Sequence, residues 1–416
     1  MSALAGTWQL LLGMGILMLG AGLQGTEISL RATLAGFPAP VTGAVMSCYY
    51  LGYMFGTALA PRLVRRVGHI RVFAGMSALA SATILVQGLI VRPLPWALLR
   101  LLSGLCFAGL YVVAESWLND RASRANRGAL LAIYMAVLYI GLGCSQFLLN
   151  AVDPLTTRPF MLVALLIGLA MVPILIAAQQ APQIALPRKV RYRDLYRDSP
   201  LGVVAVTVSG MVSSNIFSMG PVYARLSGLD TAGVASFMAV SILSAVATQY
   251  PIGRWSDRID RRTVIAAICT LATASAATLA VLHPPHALLL VLTGVFSGLA
   301  LTLYSLAVSH VNDHLEPAQM VAASSALLRL NGIGAALSPV LVGALIAHFG
   351  PTAYFGALAA LTGTLAAFGL WRKLRREPVS LDRKGPFLSA QPQAAAGRIA
   401  SAAAAAAGDG AEGKSG

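Results

Sequence analysis

The sequence predicts an all-α polytopic membrane protein, with twelve transmembrane helices arranged as two pseudo-symmetric six-helix halves. Of the 416 residues, 57% are hydrophobic and only 11% are charged. Apolar runs of about 20 residues recur along the chain, and each is long enough to cross a hydrocarbon core of ~30 Å as a helix. Only helices and closed barrels satisfy their backbone in lipid, and barrel strands are much shorter, at about ten residues. The runs are therefore predicted to be helices.

Twelve such runs follow one another between short polar turns. The first has no charged leader and no evident cleavage site, so we expect it to be retained as a span. The sixth and seventh are separated by the longest internal polar segment, which contains "PRKVRYRDLYRD". The predicted spans are 8–33, 41–61, 70–90, 95–117, 128–150, 157–178, 201–224, 231–252, 263–282, 286–309, 321–347 and 351–371.

The chain repeats itself, which predicts its domain organisation. The span starts of the second half follow those of the first at an offset of about 192 residues, and "WLND" near the end of span four aligns with "HVND" near the end of span ten. Repeats of this kind are related by a pseudo-twofold axis along the membrane normal, with a binding site between them near the midplane. We expect a first half at 1–178, a cytoplasmic linker at 179–200 and a second half at 201–372. The tail at 373–416 has no apolar face and is predicted to be disordered.

The placement of lysine and arginine predicts the orientation. With the N-terminus inside, the inner loops and the tail hold 24 of the 30 Lys and Arg residues, four lie at the outer ends, and Arg100 and Arg329 lie within spans. Cytoplasmic loops carry this excess, so both termini are expected in the cytoplasm. The same signal accounts for the net charge of +15, and we therefore expect no nucleic-acid partner.

A charged loop between spans eight and nine carries a family resemblance. The stretch "GRWSDRIDRR" places Gly253, Asp257, Arg258, Arg261 and Arg262 in the order G-x-x-x-D-R-x-x-R-R. This order resembles the signature loop of the major facilitator superfamily, which lies between spans two and three and recurs between spans eight and nine. The stretch "YVVAESWLNDRASRANRG" is similar to a poorly characterised bacterial branch of that family. The resemblance implies a protein of the bacterial cytoplasmic (inner) membrane.

The two copies of the loop differ in how well they match the family. The first-half copy, "PRLVRRVGHIR", keeps Gly68 and Arg66 but has Arg65 where the family has an aspartate. In the second half, Asp260 stands where the family has a glycine. The second-half loop is therefore the better preserved of the two.

The position of the loop predicts a conformational latch. The Asp257 carboxylate is expected to meet the start of span five, near Arg127 and Gly128, since backbone N–H groups at a helix N-terminus favour negative charge. The loop arginines are expected to bridge to acids at the inner ends of spans. Plain positive-inside charge without any latch is the alternative. The predicted acids are Glu115, Asp120 and Asp313.

Two ionisable side chains within spans are candidates for proton coupling. Glu27 on span one and Arg100 on span four lie at a similar depth, ~8–9 Å below the outer surface. The stretch "RLLSGLCFAG" also resembles the family's span-four motif, which accompanies an acid on span one in proton-coupled members. We expect Arg100 to hold Glu27 ionised until substrate or closure disturbs the pair. Alternatively, Glu27 faces an outer vestibule and Arg100 snorkels to the surface.

Further polar residues near the middle of the membrane are candidates for lining a substrate cavity. The arginines within spans outnumber the single deep acid, which favours an anionic substrate. For each amide taken alone, a hydrogen bond between helices is the favoured explanation. The candidates are Gln24, Gln146, Asn215, Gln249, Arg329 and Asn331.

The resemblance implies a secondary active transporter of a small organic solute that works by alternating access, and we expect proton coupling. A multidrug or metabolite efflux antiporter is the alternative, and a transport-inactive receptor or scaffold is a further one. The sequence has no catalytic constellation near one membrane surface, so we expect no enzyme and no cofactor. His310, Asp313 and His314 have the spacing of metal ligands on a helix. No third strong ligand accompanies the two histidines, so no metal is expected. The expected partners are the substrate, protons and the lipid bilayer, with the chain as a monomer.

Overall fold

The computed structural model describes residues 7–121, 127–176, 192–282, 284–315, 317–375 and 387. Over these residues the chain is helical and has no strands, and one long helix lies at each predicted span. The predicted fold class is confirmed. The helices are α1 (Trp8–Leu34), α2 (Ala39–Val67), α3 (His69–Leu89), α4 (Pro93–Arg121), α5 (Arg127–Cys144), α6 (Arg158–Ile176), α7 (Pro200–Ser218), α8 (Thr231–Arg258), α9 (Arg261–Val281), α10 (His286–Asn312), α11 (Pro317–Phe349) and α12 (Ala353–Arg375).

Helix α2 differs from the other eleven in its composition. By length and composition, 11 helices among the described residues are long and apolar enough to cross a membrane, and α2 is the one that falls short. Its middle carries Tyr49, Tyr50 and Tyr53, and its end carries several arginines. A helix that faces the interior of a bundle needs no apolar surface on that side, so α2 can carry polar groups at membrane depth.

Several helices continue beyond the predicted ends of their spans. Helix α2 ends at Val67, α8 at Arg258 and α12 at Arg375, each past the last apolar residue of its run. Arginine is a good helix former, and the backbone has no reason to unwind where the membrane ends. Helix α12 thus runs past residue 372, and a short helix, Tyr192–Asp198, lies within the stretch predicted as the linker.

Two predicted spans are interrupted in the structure. Span five changes after Cys144 into a 3-10 helix, Ser145–Ala151. Span seven ends at Ser218 and resumes as a short helix, Gly220–Leu226, with Met219 between the two. Pro221 explains this second break, because proline is favoured in the first turn of a helix and disrupts a helix interior.

The packing of the helices repeats between the two halves. In the first half α2 packs on α4, α1 on α5 and α6, and α3 on α4 and α6. The corresponding pairs of the second half are also in contact: α8 with α10, α7 with α11 and α12, and α9 with α10 and α12. The halves meet through α2 against α11 and through α5 against α8, which are equivalent positions in the repeat.

The interface between the halves is tight at one end of the bundle and open at the other. We call the end that contains the α1–α2 turn the Pro38 end, and the end that contains the α8–α9 turn the Asp257 end. At the Pro38 end, a Cβ added to Gly43 would collide with the backbone of Pro339, and one added to Gly343 would collide with that of Ala39. At the Asp257 end, a cavity of about 480 Å³ separates α5 from α8.

Candidate functional site

The centre of the bundle contains two small cavities that share a wall of tyrosines. Tyr49 and Tyr50 of α2 line both cavities. One has a volume of about 70 Å³ and is lined by Gln24, Gln146 and Arg100 among others. The other, of about 30 Å³, is lined by Arg329 and Asn331 among others. Such volumes hold a few water molecules, whereas ligand pockets usually measure about 300 Å³ or more, so the centre is nearly closed in this state.

Arg100 is held against an aromatic ring rather than against an acid. Its side chain is buried, and its guanidinium carbon lies 4.4 Å from the centre of the Tyr49 ring. The Tyr50 ring packs edge-on against Tyr49, with the ring centres 5.5 Å apart. A cation over an aromatic face is stabilised by the ring quadrupole, most strongly where water is excluded. The Arg100 Nε group has no hydrogen-bond partner within the part of the chain that the structure describes, so this N–H could donate to an anion.

Glu27 is buried and, among the described residues, has no hydrogen-bond partner. Its side chain has no exposure to solvent, and neither carboxylate oxygen accepts a hydrogen bond from that part of the chain. The charged groups that act on it are Arg31, one helical turn further along α1, and Asp153 in the turn after span five. Among the described residues, no ion pair joins Glu27 to Arg100, so the predicted pair is not formed in this state.

The shared depth of Glu27 and Arg100 is nevertheless real. Gln24 donates a hydrogen bond to the Ser103 hydroxyl over 3.1 Å, which places these two residues at one level. Glu27 and Arg100 each lie about one turn from that level towards the Pro38 end. Depth does not determine the direction of a side chain around its helix. Helix α4 packs closely on α2, where Gly104 abuts the Tyr49 backbone, so Arg100 reaches Tyr49 instead.

The candidate amides join neighbouring helices within one half. Gln146 accepts a hydrogen bond from Thr26, and Asn215 donates one to Ser338 over 2.6 Å. Asn331 donates to Ser209, and Gln249 donates to Ser305, each over 3.0 Å. These bonds favour the structural interpretation of the amides. Gln24, Gln146 and Asn331 also line the central cavities, and Gln249 lines the larger cavity at the Asp257 end, whereas Asn215 is not among the residues that line these three cavities.

The signature loop forms an ion network within the second half. Arg261 is almost completely buried and lies 3.3 Å from both the Asp257 and the Asp313 carboxylates. It thereby connects α8, α9 and the end of α10. Arg262 pairs with Asp260 over 3.0 Å, and Asp260 also caps α9 by accepting from the Arg262 backbone N–H. Asp260, which departs from the family pattern, therefore starts the next helix.

The remaining latch candidates lie in different environments. Arg66, Asp120 and Arg258 are exposed, Glu115 is buried, and Gly68 has a φ of 89° where the chain turns from α2 into α3. Next to Gly68, the first half stacks His69 on Trp117, with ring centres 5.9 Å apart. The predicted contact of Asp257 with Arg127 and Gly128 lies outside the described side chains.

The large cavity at the Asp257 end, which we call the α5–α8 groove, contains a residue that the sequence did not single out. Leu131, Ala132 and Met135 line the α5 side, and Gln249, Gly253 and Asp257 line the α8 side, together with Phe387 from beyond α12. The Phe387 backbone N–H donates to the Asp257 carboxylate over 2.8 Å. Phe387 belongs to the stretch 373–416, which is predicted to be a tail without an apolar face, and beyond Arg375 it is the residue of that stretch that the structure describes.

Comparison with known proteins matches this architecture. The family model described as Major Facilitator Superfamily matches residues 10–248 and 203–405. A protein of Escherichia fergusonii, described as the uncharacterized MFS-type transporter YcaD, is 28% identical over 356 residues, which cover 85% of this chain and 92% of that protein. The YcaD protein of Salmonella arizonae is 27% identical over 358 residues, with the same coverage of 85% and 92%.

Solved structures share the fold at low sequence identity. The nucleoside transporter NupG has a TM-score of 0.73 and 15% identity, over 89% of this chain and 99% of that chain. A bacterial homologue of the human lysosomal transporter Spinster, in an inward-facing and occupied conformation, has a TM-score of 0.70 and 14% identity, over 90% and 97% of the two chains. At these identities the likeness concerns the fold alone.

Proposed function

Because the chain belongs to the major facilitator superfamily, we propose that it is a secondary active transporter that moves a small organic solute by alternating access. The observation that supports this best is the unequal packing of the two halves. They touch backbone to backbone at the Pro38 end and are separated by the α5–α8 groove at the Asp257 end. Alternating access rocks two repeats against each other around a fixed site, and each state closes one end.

We place the Asp257 end on the cytoplasmic side of the bacterial inner membrane. The excess of lysine and arginine at that end supports this orientation. The state described here is then inward-facing. We further propose that the chain works as a monomer in the bilayer, without a cofactor, enzymatic activity or a nucleic-acid partner.

We propose that Glu27 carries the coupled proton. A carboxylate without hydrogen bonds and without solvent is costly at membrane depth, and protonation removes that cost. Arg100 lies at the same level, stacked on Tyr49 in this state. We propose that the Arg100 side chain leaves the Tyr49 ring and pairs with Glu27 when the transporter changes from inward-facing to outward-facing. Arg100 and Glu27 then form the ion pair only in the outward-facing state.

The substrate that fits the centre best is a small organic anion. One arginine lines each central cavity, Arg100 on the first-half side and Arg329 on the second-half side, with the Tyr49 and Tyr50 rings between them. An anionic group would bind an arginine, and a planar apolar body would pack on the rings. The apolar α5 wall of the groove, with Leu131 and Met135, favours the second candidate function, which is efflux antiport of an apolar drug or metabolite.

Flux measurements on the purified protein in liposomes test the proposal. Ligands would first be selected by thermal shift from organic anions, organic cations and nucleosides at two pH values. Proton movement would then be followed with an internal pH-sensitive dye when a selected ligand is added outside. Symport of an anion acidifies the lumen, whereas antiport of a drug makes it more alkaline. A ligand that binds but never moves, under any imposed gradient, contradicts transport and favours a receptor or scaffold.

The variant Glu27→Gln tests the coupling residue. We expect loss of accumulation driven by a pH gradient, because glutamine carries no proton, while counterflow exchange without a gradient is retained. Asp194→Asn is the matched control, since Asp194 is an exposed carboxylate on the short helix Tyr192–Asp198. Full accumulation by Glu27→Gln at equal protein level would exclude Glu27 as the coupling residue.

A further inference from the structure

The α5–α8 groove contains Phe387, which comes from beyond α12. The Phe387 side chain is partly buried and packs against the core of the bundle. Its backbone N–H donates to Asp257, the acid of the signature loop. The groove is lined by both halves, with α5 on one side and α8 on the other. Phe387 therefore lies against α8, in a groove whose other wall belongs to the opposite half.

Glycine at position 253 makes room for the Phe387 ring. A Cβ added to Gly253 would lie 2.5 Å from one ring carbon of Phe387 and 2.8 Å from another, and these are its closest contacts among the described atoms. A side chain there would thus collide with an aromatic ring rather than with the flexible end of a side chain. The absence of a side chain at Gly253 is a condition for the ring to lie where it does.

We propose that the α5–α8 groove is a docking site for the C-terminal segment around Phe387, and that docking opposes closure of the Asp257 end. Closure requires α5 to approach α8, and the ring lies in the space that would have to disappear. The Phe387 backbone N–H also donates to the Asp257 carboxylate. In a closed state that carboxylate would instead face the N-terminus of α5. The segment therefore competes with closure for both the space and the charge.

The consequence for transport rests on the proposed alternating access, but the docking itself does not. A transporter that must release Phe387 before it closes is slowed or held inward-facing. Loss of the contact frees the Asp257 end to close. Conformation can be measured without a substrate, so failure of the docking and failure of the proposed transport are distinguishable.

Distance measurements between the halves test the docking. Spin labels would be placed at Ala129 on α5 and Arg258 on α8, both exposed, in full-length protein whose native cysteines are replaced. Phe387→Ala, Gly253→Ala and truncation after Arg375 are each expected to raise the ratio of short to long distances by about tenfold, since each removes or displaces the buried phenyl ring. Gly75→Ala and Phe349→Ala are matched controls at open or exposed positions, and we expect no shift from them.

Addition of the missing segment provides a second measurement. A synthetic peptide of residues 383–390, "RKGPFLSA", added to the truncated protein, is expected to restore the long distances, and the same peptide with alanine for phenylalanine is not. Unchanged distances in both Phe387→Ala and Gly253→Ala would overturn the proposal. Longer distances in these variants would also overturn it, because the segment would then favour closure. If the truncated protein fails to fold, the distances in Phe387→Ala and Gly253→Ala still test the docking.

Discussion

At the scale of single residues, the buried polar groups fall into two classes. The amides of Gln24, Asn331 and Gln249 each have a hydroxyl partner on a neighbouring helix. Glu27 has no hydrogen-bond partner, although it is equally buried. A polar group that is satisfied within one half stabilises that half in every state of the cycle. A charged group without a partner is costly, and such a cost is retained where a binding event relieves it.

The hydrogen bond between Gln24 and Ser103 can be measured as a structural contact. In a double-mutant cycle with Gln24→Leu and Ser103→Ala, we expect a coupling energy of about 0.6 kcal/mol and at most ~2 kcal/mol, as is usual between membrane helices. Thermal unfolding in detergent would report it. The same cycle should leave the affinity for substrate nearly unchanged. A cycle that alters affinity far more than stability would place Gln24 in the binding site instead.

At the scale of helices, length and charge predicted nearly everything that is local. All twelve spans are present, because an apolar run of about 20 residues has no other stable structure in lipid. The ends were predicted less well, since apolar runs mark where the membrane stops and not where a helix stops, as at Arg258 and Arg375. The break at Met219 was missed although Pro221 marks it, because the apolar run continues across it.

The site shows where prediction from the sequence reaches its limit. Spacing along α1 and α4 predicts a similar depth for Glu27 and Arg100, but the partner of Arg100 depends on the contact of α4 with α2. That contact is a property of packing and has no signature in the spacing. Phe387 follows a long polar stretch, and no pattern in the surrounding sequence marks it as a residue with a packing partner. Only the folded chain brings it to Asp257.

The contact between α2 and α11 allows a prediction about the Pro38 end. Gly43 lies directly against the backbone of Pro339, so Gly43→Leu must push the two helices apart. We expect the Pro38 end to open and the closed population there to fall, as seen by spin labels on exposed residues at the ends of these helices. Gly75→Leu is the matched control, because no heavy atom lies within 4 Å of its added Cβ. Equal effects of the two variants would mean that leucine merely perturbs the fold.

At the scale of the whole molecule, the two loops of the repeat have become different structures. The second half ties α8, α9 and α10 together at the Asp257 end through Arg261. The first-half loop has Arg65 in place of the acid, and its His69 stacks on Trp117. Of the two loops, the second-half loop therefore carries the carboxylate that can face the opposite half. The pseudo-twofold symmetry of the helices does not extend to these side chains.

The variant Asp257→Asn tests this asymmetry, in protein truncated after Arg375 so that Phe387 cannot compete. In the closed state we expect the Asp257 carboxylate to face the N-terminus of α5, where a negative charge is worth about 0.3–2 kcal/mol. Asparagine removes the charge and weakens the pair with Arg261. The ratio of closed to open Asp257 ends, measured with labels at Ala129 and Arg258, should fall by about two- to thirtyfold relative to the truncated parent. Asp194→Asn in the same background is the control for loss of an exposed charge. An unchanged ratio would show that Asp257 stabilises only its own half, through Arg261, and that the closing contact lies elsewhere.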